Sequence, residues 1–226
     1  MVKRLAGALA LMLVVMMVPS KPRGNASPVL EVESFGASAT FFTQWKIKKW
    51  VGNVTLDFLR DGSSPFLRLT CPSASWAFVK RLDMDLRITP VLTWSWKVDE
   101  LPLGGDGRRA ETDDEAAQVY VFFPGKGLLG ALDNRIIGYT WEDVPAPGTF
   151  YTSPKNRNTK VFVLRNREDG LGVWRTESRD IRTDYLAAFG EEAPRPLAIC
   201  FQIDSDDTRS TARSDFSNMT FTRPGP

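Results

Sequence analysis

The sequence has no histidine and only two cysteines in 226 residues, and these scarcities remove whole classes of chemistry. Without an imidazole there is no Ser-His-Asp or Cys-His catalytic arrangement, no His-ligated zinc and no side chain with an ordinary pKa near neutrality. Two cysteines cannot complete a four-cysteine zinc or iron-sulfur site. Charge of one sign is also scarce: 29 Lys and Arg stand against 27 Asp and Glu, and Lys3 and Arg4 account for the whole excess. A basic nucleic-acid footprint is therefore not expected. What remains is chemistry run by carboxylates, Lys, Arg, Tyr, Ser and Thr, or by a hard metal held by oxygens. A hydrophobic content of 42% with 25% charged residues fits a globular chain long enough for one domain with a sizeable core.

Long apolar runs are absent except at the start. Lys3 and Arg4 precede the uncharged stretch Leu5 to Val18, which Pro19-Ser20 ends. As a helix those residues would reach about 21 Å, short of a bilayer core of about 30 Å. The pattern is that of an export signal, cleaved after Ser20 or, as a second site, after Ala26. Residues 1–20 are thus expected to be a signal peptide, 21–34 a flexible lead-in and 35–226 one domain. The mature chain would be exported to the periplasm or outside the cell, formally neutral and without a membrane span. Sequons at Asn25, Asn53 and Asn218 matter only in a host that glycosylates exported proteins.

Beyond the leader the main signal is period two. Leu92, Trp94, Trp96 and Val98 alternate with Thr93, Ser95 and Lys97, as a sheet with one buried face requires. Similar runs fall at 54–59, 67–71, 76–82, 135–141, 160–165, 197–203 and 216–222. Ala116 to Phe123 is apolar at nearly every position and suits a central strand covered on both faces. One helix competes, Ser178 to Phe189, with Ile181, Tyr185 and Phe189 on a stripe and Gly190 as its stop. Nine candidate strands and one short helix predict an all-β fold, a β-sandwich of jelly-roll or lectin-like type. Cys71 and Cys200 fall in two of those strands. They either bridge, closing a loop whose constraint would contribute about 4–5 kcal/mol, or stand as buried thiols.

Three groups of residues are candidates for function. Asp113 and Asp114 precede one strand, and Asp204, Asp206 and Asp207 end another, so their oxygens suit Ca2+ if they converge, and ordinary turn chemistry if they do not. Trp94 and Trp96 point inward with the core. Trp141, followed by the Pro-rich loop Glu142 to Gly148, and Trp174, with Arg175 and Glu177 near it, are the indoles placed to meet a sugar ring, with Tyr139 nearby. Glu177 and Arg179 can hydrogen-bond a ligand, or Arg179 can pair with Asp114 or Asp184 to pin the helix.

Several of these motifs together bring a family into view. Thr89-Pro90-Val91-Leu92-Thr93-Trp94-Ser95-Trp96-Lys97-Val98, Asp113-Asp114 before Ala116 to Phe123, Tyr139-Thr140-Trp141, Glu177-Ser178-Arg179-Asp180, Asp184-Tyr185, Phe189-Gly190-Glu191-Glu192 and Asp204-Ser205-Asp206-Asp207-Thr208 resemble, in order, the bacterial family catalogued as domain of unknown function 3047. The resemblance runs from Phe35 to Arg223. Ser95 and Gln118 stand where that pattern carries Arg, Glu115 where it carries Tyr, and Gln202-Ile203 where it is more polar. The resemblance implies an exported β-rich fold and brings no activity with it.

Three functions follow from these features. The first is a non-catalytic exported sandwich binding carbohydrate or another extracellular polymer, with a structural calcium. The second is a glycan-active hydrolase using Glu177 with Asp114, or a lyase using Tyr139, Tyr185 and Arg179. The third is an envelope module docking to another protein.

Overall fold

A computed structural model describes residues 29–126 and 133–225. The expected signal peptide and the stretch 21–28 lie outside the described residues. In chain order the elements are β1 (Val29–Glu33), α1 (Ser38–Gln44), β2 (Lys46–Val51), β3 (Thr55–Asp61), β4 (Ser64–Pro72), β5 (Ser75–Arg81), β6 (Val91–Glu100) and β7 (Ala117–Phe123). They continue as β8 (Arg135–Trp141), β9 (Phe150–Thr152), β10 (Thr159–Arg165), β11 (Arg175–Asp180), α2 (Ile181–Phe189), β12 (Ala198–Asp204) and β13 (Thr211–Thr222).

The strands form two sheets. One is six-stranded, in the order β11-β6-β13-β4-β3 with β1 added against β13, and the other is seven-stranded, in the order β2-β5-β12-β7-β8-β10-β9. The chain changes sheet from β1 to β2, β2 to β3, β4 to β5, β5 to β6, β6 to β7, β10 to β11, β11 to β12 and β12 to β13, which is the crossing pattern of a jelly-roll sandwich. Only β8 and β10 pair in parallel among the described pairings.

The alternation seen in the sequence fixes the faces. Leu92, Trp94, Trp96 and Val98 of β6 are wholly buried and meet the inward row of the other sheet. Trp94 packs on Tyr139 with ring centroids 5.3 Å apart, and Trp96 on Trp141 at 5.9 Å. At the other end Phe201 joins Phe78 at 4.7 Å and Phe216 at 4.9 Å. Aromatic contacts therefore run across the sandwich between the sheets. α1 and α2 plug its margins: Phe41 of α1 packs on Phe58, Phe78 and Phe201, and Tyr185 of α2 on Phe123.

All nine expected strands are present. The lead-in is shorter than expected, because residues 29–33 pair with β13 as β1. The helix is shorter too. Asp180 caps it, accepting from the backbone of Arg182 and Thr183 at 2.9 and 3.0 Å, so residues 178–180 complete β11 instead. Cys71 and Cys200 are both free. Cys71 lies in the core between the sheets, and Cys200 on the far side of the seven-stranded sheet, so the register turns the thiols away from one another. Burial pushes the Cys71 thiol up to about 12 and raises that of Cys200 further.

Candidate functional site

The informative surface is the outer face of the seven-stranded sheet. On its middle strand, β7, Val119, Val121 and Phe123 face the core, so Gln118, Tyr120 and Phe122 face outward. Strand register extends these into rows. Gln118 lies between Gln202 of β12 and Thr140 of β8, Tyr120 between Cys200 and Gly138, and Phe122 between Ala198 and Ile136. Ala77 and Val79 of β5 continue the first two rows on one side, and Val161 of β10 and Tyr151 of β9 continue the second on the other.

These side chains include a buried apolar cluster separate from the core: Ala77, Val79, Tyr120, Phe122, Ile136, Ala198 and Cys200, with Trp50 and Leu197 packed at its side. Small residues keep its floor low. A Cβ on Gly138 would collide with the Tyr120 ring, so that glycine lets the ring lie across β8. Both helices pack on inward-facing residues, and the cluster residues of this outer face are themselves 0–5% exposed.

One end of the face is polar and acidic. The Tyr120 hydroxyl donates to Gln118 Oε1 at 2.6 Å, and Gln118 Nε2 donates to Asp204 Oδ1 at 3.1 Å. Asp204 also accepts from the Glu115 backbone at 2.9 Å and, on its other oxygen, from Gln202 Nε2 at 2.9 Å. Glu142 accepts from Thr140 Oγ1 at 2.7 Å, from the Tyr151 hydroxyl at 2.8 Å and from the Gly107 backbone at 3.0 Å. Gly107 has no room for a side chain, since a Cβ there would meet both the Tyr151 hydroxyl and Glu115 Oε1. That close approach brings Glu115, Tyr151 and Glu142 together.

Two polar atoms on this face have no partner: Gln202 Oε1 and Thr159 Oγ1. Their residues are 1% and 0% exposed, and a buried acceptor left without a donor costs about 1–3 kcal/mol. Burial also raises the pKa of Glu115 well above the usual carboxylate range, with Asp113, Asp204 and Glu142 adding to it. Burial raises Asp204 likewise, followed by Asp114 and Asp113, while the Glu115 N–H works against it. Glu142 is raised by burial although its three hydrogen bonds oppose the shift.

The acidic residues expected to hold calcium do meet, but their oxygens are already engaged. Asp114 accepts from the backbones of Asp207 and Thr208 at 3.2 and 2.6 Å, and Asp204 is bound as above. Lys155 places its ammonium between Asp113, at 3.1 Å, and Asp207, at 2.5 Å, where a cation would otherwise sit. Burial works against that ammonium, and Asp113 and Asp207 overcome it, so its pKa is raised. Asp206 lies beside this group, raised by burial and then by Asp207. Among the described residues no group of three or more His, Cys, Asp or Glu side chains is arranged to hold a metal ion. In this arrangement turn donors and one lysine engage the carboxylates expected to hold calcium.

The other expected binding residues are structural. Trp141 is not at a rim; it is wholly buried and donates to the Asn166 carbonyl at 3.0 Å. Tyr139 is wholly buried and donates to Asp184 at 2.6 Å. Arg179 clamps the same Asp184 with two hydrogen bonds of 2.9 and 2.6 Å, which pins α2 to β11. Glu177 accepts from Trp96 Nε1 at 3.1 Å and from Arg165 at 2.8 and 3.3 Å. The hydrolase pair is corrected as well, since Glu177 and Asp114 are closed off in separate networks. Trp174 stays half-exposed, but on the opposite outer face of the sandwich, edge-on to Phe66 with its indole N–H on Asp61. Glu115, Gln118, Tyr120, Glu142, Tyr151 and Gln202 replace these residues as the candidate site. The polar Gln118 and Gln202 inside otherwise apolar strands were the available signal.

Among solved structures, the sandwich is similar to a family 11 carbohydrate-binding module of a cellulosomal cellulase from Clostridium thermocellum, with 9% identity, 88% of this chain and 96% of that chain covered, and a TM-score of 0.47. It is also similar to a family 30 carbohydrate-binding module of another cellulosomal cellulase of that organism, with 12% identity, coverage of 80% and 92%, and a TM-score of 0.47. A third is the xyloglucanase domain of NopAA, a type three effector from Sinorhizobium fredii, with 10% identity, coverage of 80% and 93%, and a TM-score of 0.44. No curated protein sequence matches the chain. The family model described as "Protein of unknown function (DUF3047)" matches residues 42–220, and the chain belongs to that family.

Proposed function

We propose that this protein is exported and binds a carbohydrate chain on the outer face of its seven-stranded sheet. Export rests on the leader pattern of Lys3, Arg4 and Leu5 to Val18. The single observation that carries binding is the composition of that face: an apolar floor holding Tyr120 and Phe122, bordered by amides, phenols and carboxylates, with Gln202 Oε1 and Thr159 Oγ1 left without donors. A sugar ring offers C–H groups to aromatic and small apolar side chains and hydroxyl donors to lone acceptors. Both kinds of group are present here side by side, at 0–5% exposure in this structure.

Affinity electrophoresis through gels containing soluble β-glucans, xylans and amino-sugar polymers tests this reading. Retardation by at least one polymer is expected. Gln202→Leu and Tyr120→Phe, which remove an acceptor and a hydroxyl and keep the packing, should each weaken it about 5- to 10-fold. Trp174→Ala on the opposite face should leave it unchanged. Migration indifferent to every polymer, or loss confined to Trp174→Ala, contradicts the proposal.

A further inference from the structure

We propose that β9 and the loop 153–158 after it form a strap that closes the polar end of the outer face and swings open to admit the ligand, with Lys155 as its latch. The inference rests on the glycan-binding reading above and adds how access to that site is regulated.

β9 is the edge of the seven-stranded sheet and is three residues long, pairing with β10 alone. Gly148, at φ +86° with open space around it, makes the turn at its entry. The loop is folded on itself: the Ser153 N–H donates to the Thr159 carbonyl at 3.0 Å, the Asn156 N–H to the Ser153 carbonyl at 3.3 Å and the Thr159 N–H to the Asn156 carbonyl at 2.9 Å. No residue of β9 or the loop belongs to either buried apolar cluster. The side-chain ties described between this segment and the domain beyond β10 are polar. They are the Tyr151 hydroxyl on Glu142 and the Lys155 ammonium on Asp113 and Asp207.

Those ties span the outer face. Asp113 precedes β7 and Asp207 follows β12, and β8 and β7 lie between β10 and β12. Two to three strand spacings of about 4.8 Å therefore separate the edge of the sheet from the acids that its loop holds. Tyr151 stands in the outward row of Tyr120 and Cys200. A strap in this position accounts for a face whose polar groups are buried although they point away from the core.

Closure also leaves groups that water would serve better. Gln202 Oε1 and Thr159 Oγ1 are buried without a partner, and the side chains of Lys155, Asp113 and Asp207 are only 12–18% exposed. Opening hydrates all five, so the closed form depends on the ion pairs. Removing the ammonium would set Asp113 against Asp207 beneath the strap and shift the equilibrium to the open form.

The two native thiols read the opening. Cys200 lies on the covered face and Cys71 in the core, and both are 0% exposed. With methyl methanethiosulfonate in excess, Cys200 should be modified at least about tenfold faster than Cys71, because a local opening precedes global unfolding. Its rate should vary little with urea below the unfolding transition, whereas that of Cys71 should climb steeply. Lys155→Met, which keeps the stem and removes the charge, should speed Cys200 about tenfold and keep the shallow urea dependence, and Tyr151→Phe should speed it about threefold. Lys155→Arg should keep the wild-type rate. Lys155→Met should also be retarded more strongly by any polymer that retards the wild type, with an apparent affinity up to about tenfold higher, because more of it is competent to bind.

Equal rates and equal urea dependence for the two thiols overturn the strap, as does a Cys200 rate unchanged in both Lys155→Met and Tyr151→Phe. Equal or weaker retardation of Lys155→Met overturns its control of binding. If no polymer retards either protein, the glycan reading falls, and the labelling alone decides the strap.

Discussion

Trp141→Ala should destabilise the fold by about 3–5 kcal/mol, the range for removing a large aromatic side chain from a core. Its indole is wholly buried, packs on Trp96 and donates to the Asn166 carbonyl, which belongs to the residue capping the turn at residues 167–169. The loop after it, with Val144 exposed, is what makes position 141 look like a rim. Burial is set instead by the six-stranded sheet, whose Trp96 lies across the interface. Urea unfolding followed by tryptophan fluorescence measures the loss. A change below about 1 kcal/mol with reduced polysaccharide retardation would restore Trp141 to the surface.

Lowering the pH from 8 to 5 should raise the thermal midpoint, because the buried acids at the end of the sheet hold protons in the folded state. Burial pushes Asp113 up to about 6 from 3.8, against the pull of Lys155. A carboxyl group whose folded pKa is raised contributes stability fully below the unfolded value, and that stability is lost as pH rises through the folded value. The window for Asp113 therefore runs from about 4 to about 6, and its worth is about 3 kcal/mol. Between pH 8 and 5 about half of that, roughly 1.4 kcal/mol, is gained, which for a domain of this size is about 3–6 °C. Glu115, Asp204 and Asp206 are raised as well and add with the same sign. Asp85, Asp106 and Glu191 have the opposite sign: their pKa values are lowered, first by hydrogen bonds from Arg87, Arg108 and Lys126, and their contribution is lost at lower pH. Stability should therefore peak at mildly acidic pH. Asp113→Asn should flatten the slope between pH 5 and 7 in differential scanning calorimetry. A midpoint that climbs steadily from pH 5 to 8 contradicts this electrostatic account.

The sandwich was legible because a sheet with one face in the core writes itself as alternation. Strands without that constraint were not. β2 is an edge strand rich in lysine, Lys46-Ile47-Lys48-Lys49, and β11 is an edge strand of Arg175-Thr176-Glu177-Ser178-Arg179-Asp180; neither alternates apolar with polar residues. Charged edges discourage pairing with other chains, and they also hide the strand from a hydrophobic pattern. The pairing of Arg179 with Asp184 was legible as one of two options, since both lie near the start of the helix. The candidate site was hardest to read. Gln118 and Gln202 are 84 positions apart in the sequence, and only the register of β12 against β7 puts them side by side. Glu115 and Glu142 meet through Gly107, a contact that depends on a loop approaching closely enough to exclude a Cβ. Clustered acids such as Asp204 to Asp207 drew attention by composition, yet turns and Lys155 had already engaged them.

The central claim is the location of the ligand, and hydrogen exchange read by mass spectrometry tests it most directly. Exchange of the whole chain is compared with and without a polysaccharide that retards the protein. Protection is predicted in β7, β12 and the segments carrying Gly107, Glu115 and Tyr151, with no change around Trp174, Phe66 and β6. Protection confined to the Trp174 face, with β7 and β12 unaffected, would contradict the account.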